Sequence, residues 1–569
     1  MLKINELKWY VGIPLSISTS MMLLIAFPPY NLNILGFIAL IPIYFIAYTQ
    51  NLKRTFLYGL LSSFLFYCLY LFWMNAYLAI VGVSFVTVVY GGYFLISLLI
   101  TNIVSKAFPK YRAFLTPFIY LSIEYIKSFR FLGFTFGSIG YTQHNFPIFI
   151  QIADIGGEPL VAFIIVLFNA SLAHIIAQAV MGEIPGKLPT IMINRARTGK
   201  IKHQVFENPK WRRFLNFKTI PLITAVLLMC FSFIYGNFQL NRPIPKTPKL
   251  KLALIQGLSS PRTKWKDEKW KTLERLMKLT HEAYSEDPDI DLFVWTETAI
   301  RTSLRPNFIY GTPYHMRIKY LVKNLKTYFV IGSPDNYLAS NRENPNPESL
   351  EAIYPTKESE EIWTNSAYFL NTDGEIIGKY DKIKLTPFGE HFPLGKYIPF
   401  LQKILDKFTD SAGFTPGNEY TVFHHNPLSF SVVICWEGTY GYFIRKFIKN
   451  GADFIINISN DMWTKSRAGH YEHFTITKFR AIENRIWYAR AGNDGVTAII
   501  NPYGIVVKEL PIQKAGYLIG EVGPRARETF YTKHGDILPI LSVIIMSIGL
   551  FSSIYLLVQT EKLQNKKGR

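Results

Sequence analysis

Cysteine is scarce in this chain: only three of its 569 residues are cysteines, at positions 68, 230 and 435. Cys68 and Cys230 lie inside long apolar stretches, where a thiol behaves as a small hydrophobic group. A disulfide framework is therefore not expected, and no CxxC pair or Cys/His spacing indicates a metal centre. Cys435 is left alone in the more polar half of the chain, at the end of the apolar run "SVVICWE".

Acidic residues are also few, with 40 Asp and Glu against 61 Lys and Arg and a net charge of +21. Such an excess can indicate nucleic-acid binding. Here much of it lies in short stretches between apolar segments, where membrane topology places positive charge. We therefore expect membrane topology, and not nucleic acid, to account for the charge.

Apolar residues are abundant: 49% of the chain is hydrophobic and 15% is aromatic. These fractions exceed those of soluble globular proteins and indicate a membrane protein with a sizeable soluble part. A helix needs about 20 residues to cross a bilayer. Eight segments approach this length, at about 10–27, 32–49, 55–75, 80–105, 112–129, 157–180, 218–237 and 537–559.

The basic residues give these spans an orientation. Lysines and arginines precede span one, follow span two, separate spans four and five, fill the segment 182–218 and end the chain after span eight. With eight spans all five groups lie on one side, which the positive-inside rule assigns to the cytoplasm together with both termini. The prediction is a membrane domain of seven helices at 1–244, an extracytoplasmic domain at 245–536, and an eighth helix with a basic cytoplasmic tail at 537–569.

Within 245–536, short apolar runs rich in β-branched residues alternate with helical stretches, which favours an α/β layered domain. Two stretches, 264–286 and 469–490, are predicted to be helices, and 338–362 is predicted to be a solvated loop. The predicted strands are 250–257, 291–297, 328–334, 429–437 and 452–461.

Three residues of this block have side chains suited to acyl-transfer chemistry. Glu297 ends an apolar strand in "VWTETA", where burial would raise its pKa and suit it as a general base. Lys382, in "YDKIKLTPFGE", would stabilise an oxyanion if it pointed into a pocket. Cys435 would be a nucleophile if a base and a cation activated it. Taken singly, each is equally compatible with a solvated strand end, a surface charge and a core thiol.

The motifs "VWTETA", "YDKIKLTPFGE" and "VVICWE", in this order, resemble the Glu-Lys-Cys triad of the nitrilase or carbon–nitrogen hydrolase superfamily. Such a domain bracketed by membrane spans is similar over nearly the whole chain to the bacterial apolipoprotein N-acyltransferases. "NISNDMW" at 457–463, "RAIENR" at 480–485, "RAGNDGVTA" at 490–498 and "IEYIKSFRFLGFTFGSIGYTQ" at 123–143 add to the likeness. The resemblance implies an α-β-β-α sandwich beside a helical membrane domain.

This chain departs from that family's usual pattern at four positions, none of them in the triad: Leu258, Thr296, Lys384 and Trp436. Lys384 matters most, because it places a second ammonium group near Lys382. The spacing within "YDKIKLTPFGE" favours Lys382 as the residue that meets the oxyanion.

The resemblance implies a two-step acyl transfer in the bacterial inner membrane, without a metal or organic cofactor. Glu297 acts as the general base, Lys382 stabilises the oxyanion, and Cys435 attacks a phospholipid ester and carries the acyl chain as a thioester. The acceptor is the α-amino group of a lipoprotein's diacylglyceryl-cysteine. The implied partners are thus a phospholipid donor, a lipoprotein acceptor and the membrane, and no nucleic acid.

Four further residues are assigned supporting or substrate-binding roles: Glu390, Glu437, Trp265 and Trp436. Glu390 could orient Lys382, and Glu437 could position either the nucleophile or the incoming amine. The tryptophans could line the acyl chain's path, with packing as the alternative. The segment 391–408 mixes aromatic, aliphatic and lysine residues, which suits either a gate at the bilayer interface or an ordinary amphipathic surface element.

Two other functions are alternatives for a sequence of this kind. A membrane-anchored amidase of the nitrilase type would share the triad and hydrolyse its thioester with water. A channel or transporter with a soluble sensing domain is disfavoured, because the spans carry few ionisable residues that would mark a transport path.

Overall fold

The computed structural model describes residues 7–129, 133–181, 219–245, 247–258, 265–305, 312–338, 361–387, 389–390, 413–462 and 464–567. Its first part is helical. The helices are α1 (Trp9–Ala26), α2 (Ile41–Thr49), α3 (Leu52–Tyr70), α4 (Asn75–Ala107), α5 (Arg112–Lys127), α6 (Pro147–Ile150), α7 (Ala153–Met181) and α8 (Ile220–Leu240). Helix α7 is kinked at Gly157, whose φ of 70° only glycine adopts readily.

Five helical segments in the described part of the chain are long and apolar enough to cross a membrane: Trp9–Ala26, Gly82–Ala107, Ala153–Val180, Ile220–Leu240 and Ile537–Thr560. The predicted count of eight spans is therefore not confirmed. The predicted spans 32–49, 55–75 and 112–129 correspond to a short broken helix, to α3 with Lys53 and Arg54 in its first turn, and to the 16-residue α5. These three segments are shorter than the other five or carry charged residues within the helix.

The second part contains two six-stranded sheets, ordered β12-β1-β2-β3-β4-β5 and β11-β10-β9-β8-β7-β6. In each sheet three neighbouring strands are parallel, β1-β2-β3 and β7-β8-β9, and antiparallel strands flank them. The strands are β1 (Leu250–Gln256), β2 (Leu292–Trp295), β3 (Tyr328–Leu338), β4 (Glu361–Leu370), β5 (Ile376–Asp381), β6 (Phe423–His425), β7 (Leu428–Ile434), β8 (Phe454–Ser459), β9 (Trp487–Gly492), β10 (Thr497–Ile500), β11 (Val506–Leu510) and β12 (Gly516–Val522).

Helices cover the outer faces of both sheets. The first sheet packs against α9 (Trp265–Glu286) and α10 (Thr312–Leu325), and the second against α11 (Gly441–Lys449) and α12 (Arg467–Asn484). Leucine and valine side chains of both sheets meet between them. This is an α-β-β-α sandwich, as predicted. The short α13 (Phe530–His534) leads into α14 (Ile537–Lys567).

Some predicted boundaries were wrong. The predicted helix 469–490 ends at Asn484, because Arg485 adopts left-handed backbone angles and Trp487 begins β9. The predicted strand 429–437 ends at Ile434, where a 3-10 helix, Cys435–Thr439, begins. Most of the predicted loop at 338–362 lies outside the described residues, and its two ends belong to β3 and β4.

Helix α12 joins the sandwich to the helical part. Its residues Ile476, Phe479 and Ile482 belong to the same hydrophobic cluster as the membrane helices. Beyond its end, Arg485 forms an ion pair with Asp154 of α7 at 2.7 Å, and both side chains are buried. The two parts therefore share a hydrophobic cluster.

Candidate active site

The three predicted catalytic residues each follow a strand. Glu297 comes two residues after β2, Lys382 directly follows β5, and Cys435 directly follows β7. Strands β2 and β5 point the same way in the first sheet, since β3 is parallel to β2 and the two pairings from β3 to β5 are antiparallel. Their carboxyl ends therefore lie at one edge, which brings Glu297 and Lys382 together.

Lys382 is the centre of a buried ion cluster. Its ammonium nitrogen lies 3.2 Å from Glu297 Oε1 and 2.9 Å from Glu390 Oε2, and its side chain is 1% exposed. Asn365 Nδ2 donates to both carboxylates, at 2.8 and 2.6 Å. The backbone N–H of Asn460 donates to Glu297 Oε2 at 2.9 Å. Glu297, Lys382 and Glu390 are thus held in one rigid arrangement.

Two carboxylates share one ammonium group here, and their pKa values are pushed apart. Burial raises the pKa of Glu297, while the Lys382 ammonium only partly opposes the increase. Burial acts in the same direction on Glu390, but Lys382 outweighs it and holds the pKa of that carboxyl below its usual value. Glu390 is therefore the permanent counter-ion of Lys382, and Glu297 is the stronger base.

Cys435 sits at a sharp turn at the carboxyl end of β7. Its φ of 56° is unusual for a residue other than glycine. Asn457 Nδ2 donates to the Cys435 carbonyl at 3.1 Å and fixes this turn. Burial, together with the negative charge of Glu297, raises the pKa of the Cys435 thiol, whereas Lys382 opposes this effect. The resting thiol is protonated, so it needs a base.

Glu437 joins the nucleophile's segment to the lysine's segment. Its carboxylate accepts hydrogen bonds from the backbone N–H groups of Ile434, Ile383 and Lys384 at 2.8–2.9 Å, and from the Tyr380 hydroxyl at 2.9 Å. Burial raises its pKa to about 7, against the effect of these donors. Of the two roles considered for Glu437, this geometry favours positioning of the nucleophile.

Lys384 points away from the ion cluster. Its ammonium nitrogen lies over the rings of Tyr440 and Tyr442, at 4.5 and 5.2 Å from their centroids. Its backbone carbonyl accepts a hydrogen bond from Trp436 Nε1 at 3.1 Å. Trp436 is half-buried and packs against the cores of both the sandwich and the helical part. Lys382 is therefore the lysine that faces the other two triad residues.

Two of the sequence predictions fall on parts that are not described. Trp265 begins α9, but its side chain lies outside the described set, and so does the segment 391–408. The possible acyl-path and gate roles of these residues stay predictions.

Four buried polar residues were not predicted from the sequence to have a role: Asn365, Asp461, His473 and Arg490. Asp461 Oδ1 lies 2.8 Å from His473 Nδ1, and Arg490 Nη2 donates to Asp461 Oδ2 at 2.6 Å. Asp461 lies in "NISNDMW" and Arg490 in "RAGNDGVTA". For Asn365, Asp461 and Arg490, the available signal was a polar residue within or next to an apolar run typical of a strand. His473 is on a helix and had no such signal.

Cys435, Asp461 and His473 have potential metal-binding atoms within 4.8 Å of one another. A cation there would face the Arg490 guanidinium, which already occupies one oxygen of Asp461. The arrangement is therefore a hydrogen-bond network beside the thiol, and we assign no metal to it.

Comparison with known proteins assigns both parts of the chain. Residues 251–531 match the carbon–nitrogen hydrolase family model, and residues 19–171 match the model of the apolipoprotein N-acyltransferase N-terminal domain. The sandwich is thus that of a carbon–nitrogen hydrolase. Among solved structures, Saccharomyces cerevisiae Nit3, of the nitrilase superfamily, is 18% identical with a TM-score of 0.36, covering 50% of this chain and 94% of that one.

Curated relatives match almost from end to end. Apolipoprotein N-acyltransferase of Geobacter metallireducens is 28% identical over 92% of this chain and 91% of its own length. Apolipoprotein N-acyltransferase 1 of Treponema denticola is also 28% identical, over 92% of each chain. The chain belongs to the apolipoprotein N-acyltransferase family. It is accordingly an acyltransferase.

Proposed function

We propose that this acyltransferase moves a fatty acyl chain from a membrane phospholipid to the α-amino group of a lipoprotein's N-terminal diacylglyceryl-cysteine, by way of a thioester on Cys435. The observation that carries this proposal is the buried Lys382 ammonium, held between Glu297 and Glu390 beside the turn that presents Cys435. Acyl transfer through a thiol requires a base, an oxyanion partner and a nucleophile. The ends of β2, β5 and β7 supply these three groups.

In the first step Glu297 takes the thiol proton of Cys435, and the sulfur attacks the ester carbonyl of the phospholipid. The tetrahedral oxyanion that forms is stabilised by the Lys382 ammonium, which Glu390 keeps charged and oriented. The carbon–oxygen ester bond then breaks. The proton held by Glu297 passes to the departing lysophospholipid oxygen, leaving the acyl chain on sulfur.

In the second step the free amine of the lipoprotein attacks the thioester carbonyl. A carbon–nitrogen bond forms, the carbon–sulfur bond breaks, and one amine proton is transferred so that the thiol is restored. The acyl chain ends as an amide. Water attacking the same thioester would give hydrolysis, which is the amidase alternative, so exclusion of water from this buried site favours transfer.

The supporting residues act through the backbone in this proposal. Glu437 fixes the distance between the Cys435 turn and the Lys382 segment, because it accepts hydrogen bonds from both. We assign Trp436, which packs against both cores, to the path of the acyl chain from the bilayer to Cys435. We assign Trp265 to the same path from its place in the sequence.

The membrane part has a purpose in this reaction, because both substrates are lipids. We propose that residues 1–244 and 537–569 anchor the enzyme in the bacterial inner membrane with both termini in the cytoplasm. Residues 245–536 then face the periplasm at headgroup level. A reporter fused near residue 300 should show periplasmic activity, and a cytoplasmic signal would contradict this orientation.

A trapping experiment tests the reaction. Purified full-length enzyme incubated with phospholipid, without acceptor, should gain one acyl chain on Cys435 that hydroxylamine removes, as read by mass spectrometry. Adding a diacylglyceryl-cysteine peptide should then transfer the chain to the peptide amine. An adduct that survives Cys435→Ala would overturn the nucleophile. Hydrolysis of small amides without transfer to the peptide would favour the amidase.

A further inference from the structure

A second buried network lies beside the nucleophile, and the proposed chemistry leaves it unused. It consists of His473 on α12, Asp461 after β8 and Arg490 on β9, each no more than 1% exposed. Cys435 Sγ, one imidazole nitrogen of His473 and one carboxylate oxygen of Asp461 lie within 4.8 Å of one another. The thiol therefore has an imidazole neighbour in addition to the Glu297–Lys382 cluster.

Hydrogen bonds orient the imidazole. His473 Nδ1 lies 2.8 Å from Asp461 Oδ1. Arg490 Nη2 donates to Asp461 Oδ2 at 2.6 Å and keeps that carboxylate ionised. Arg490 Nη2 also lies 3.2 Å from Nδ1. The shorter contact of Nδ1 is with the carboxylate, which only accepts hydrogen bonds, so we assign the hydrogen to Nδ1 and the lone pair to Nε2. Nε2 is buried and has no hydrogen-bond partner in the described part of the chain.

The surroundings keep this imidazole neutral. Burial lowers the pKa of His473 and the Arg490 guanidinium lowers it further, while Asp461 and the backbone of Cys435 oppose them. Among the described residues of the sandwich, the ionisable groups placed beside the ring are Asp461, Arg490 and Cys435. From the helical part, the uncharged ring of Phe136 lies against it, with the centroids 6.2 Å apart. The lowered pKa favours the neutral imidazole, in which Nε2 carries the lone pair.

Glu297, by contrast, lies inside the ion cluster. Its Oε1 accepts from Lys382 and Asn365, and its Oε2 accepts from the Asn460 backbone. The amine in the second step must lose a proton, and the sulfur of Cys435 must regain one. A base that neighbours the sulfur and lies outside the ion cluster suits this exchange.

We propose that His473 carries the proton of the second step from the attacking amine to the sulfur of Cys435. The inference rests on the proposed two-step transfer. As the carbon–nitrogen bond forms, Nε2 accepts the proton of the cationic amine nitrogen. As the carbon–sulfur bond breaks, the imidazolium returns that proton to the sulfur. Asp461 stabilises the transient imidazolium.

The test measures the two steps separately in full-length enzyme in phospholipid nanodiscs. The variant is His473→Gln, whose amide N–H can still bond to Asp461 but cannot relay a proton. Acylation of Cys435 should proceed at nearly the wild-type rate. Transfer from the preformed acyl-enzyme to a diacylglyceryl-cysteine peptide should slow by about 10²-fold, the usual contribution of a positioned proton carrier.

The matched control is His470→Gln, one turn earlier on α12. His470 is also buried, but its Nε2 faces the Asp461 carbonyl at 3.2 Å and Asp494 at 3.4 Å. This change should leave the ratio of the two rates unaltered. A melting temperature close to that of the wild-type enzyme shows that a variant is folded. If His473→Gln does not fold, His473→Asn replaces it.

Two outcomes overturn the proposal: an unchanged transfer rate in a folded His473 variant, or equal slowing of both steps, which would indicate a merely structural role. Absence of any acyl adduct in the wild-type enzyme would instead reject the two-step reaction. These results therefore distinguish a wrong role for His473 from a wrong two-step reaction.

Discussion

Two lysines two residues apart have different surroundings. Lys382 is enclosed by carboxylates, and Lys384 lies over tyrosine rings. An ammonium that contacts both the base and its neighbouring acid can stabilise the charge that develops on the carbonyl oxygen, whereas one stacked on aromatic rings serves packing. The difference arises from side-chain direction alone, because both residues are on the same segment.

We therefore expect Lys382→Met to reduce the rate of Cys435 acylation by about 10²–10³-fold or more, the usual cost of losing an oxyanion partner. The matched variant Lys384→Met should acylate at close to the wild-type rate. The measurement is the rate of formation of the hydroxylamine-labile adduct by mass spectrometry. Equal losses in both variants would contradict the assignment of Lys382.

The rate of acylation should increase with pH. Glu297 accepts a proton only when ionised, and burial raises its pKa above the ordinary glutamate value of 4.5. The acid limb of the profile should therefore have its midpoint above that value. The raised pKa of Cys435 keeps the thiol protonated at neutral pH, so the thiol adds no acid limb. Single-turnover rates between about pH 4 and 9 test this, and a rate already maximal at the lowest pH would contradict it.

Helix α12 contacts three different parts of the molecule. One face covers the second sheet, another lies in the core of the membrane helices, and His473 projects toward the nucleophile. Its end is held by the ion pair between Arg485 and Asp154. The position of the candidate catalytic edge relative to the apolar helices therefore depends on this helix.

Asp154→Asn should destabilise the folded protein by about 3–5 kcal/mol, because it leaves the buried Arg485 guanidinium without its counter-ion. The control is Glu521→Gln, which removes the partner of Lys249 in an ion pair about half exposed to solvent. That change should cost at most about 1 kcal/mol. Chemical unfolding in detergent micelles measures both, and similar losses would contradict the role given to Asp154.

The whole molecule behaves as one packed unit, because the sandwich and the membrane helices share a hydrophobic cluster. Residues 245–536 expressed alone would expose Ile476, Phe479 and Ile482, which are buried in the intact chain. We expect this fragment to aggregate or to bind a hydrophobic dye strongly, because exposed apolar patches of this kind promote association. Size-exclusion chromatography tests this, and a stable monomer that does not bind dye would contradict it.

Much of the fold follows from local pattern. Apolar runs rich in β-branched residues predicted β1, β2, β3, β7 and β8, because a buried parallel strand is apolar on both faces. The flanking antiparallel strands were missed, since they are shorter or more polar, as in "VVKEL" of β11. The predicted helix 469–490 ran too long because a left-handed Arg485 leaves no clear composition signal. The predicted membrane spans that are not confirmed are those whose apolar segments are short or carry charged residues.

The candidate triad could be predicted because its residues lie in recognisable motifs at strand ends. Strand direction brings Glu297 and Lys382 to one edge of the first sheet, whereas Cys435 approaches them from the second sheet. The network of His473, Asp461 and Arg490 could not be predicted, since it depends on contacts between residues on three separate elements. Sequence pattern fixes which elements form, because burial and backbone hydrogen bonding are local demands. The directions of Lys382 and Lys384, and the protonation of Glu297 and His473, depend on neighbours that only folding brings together.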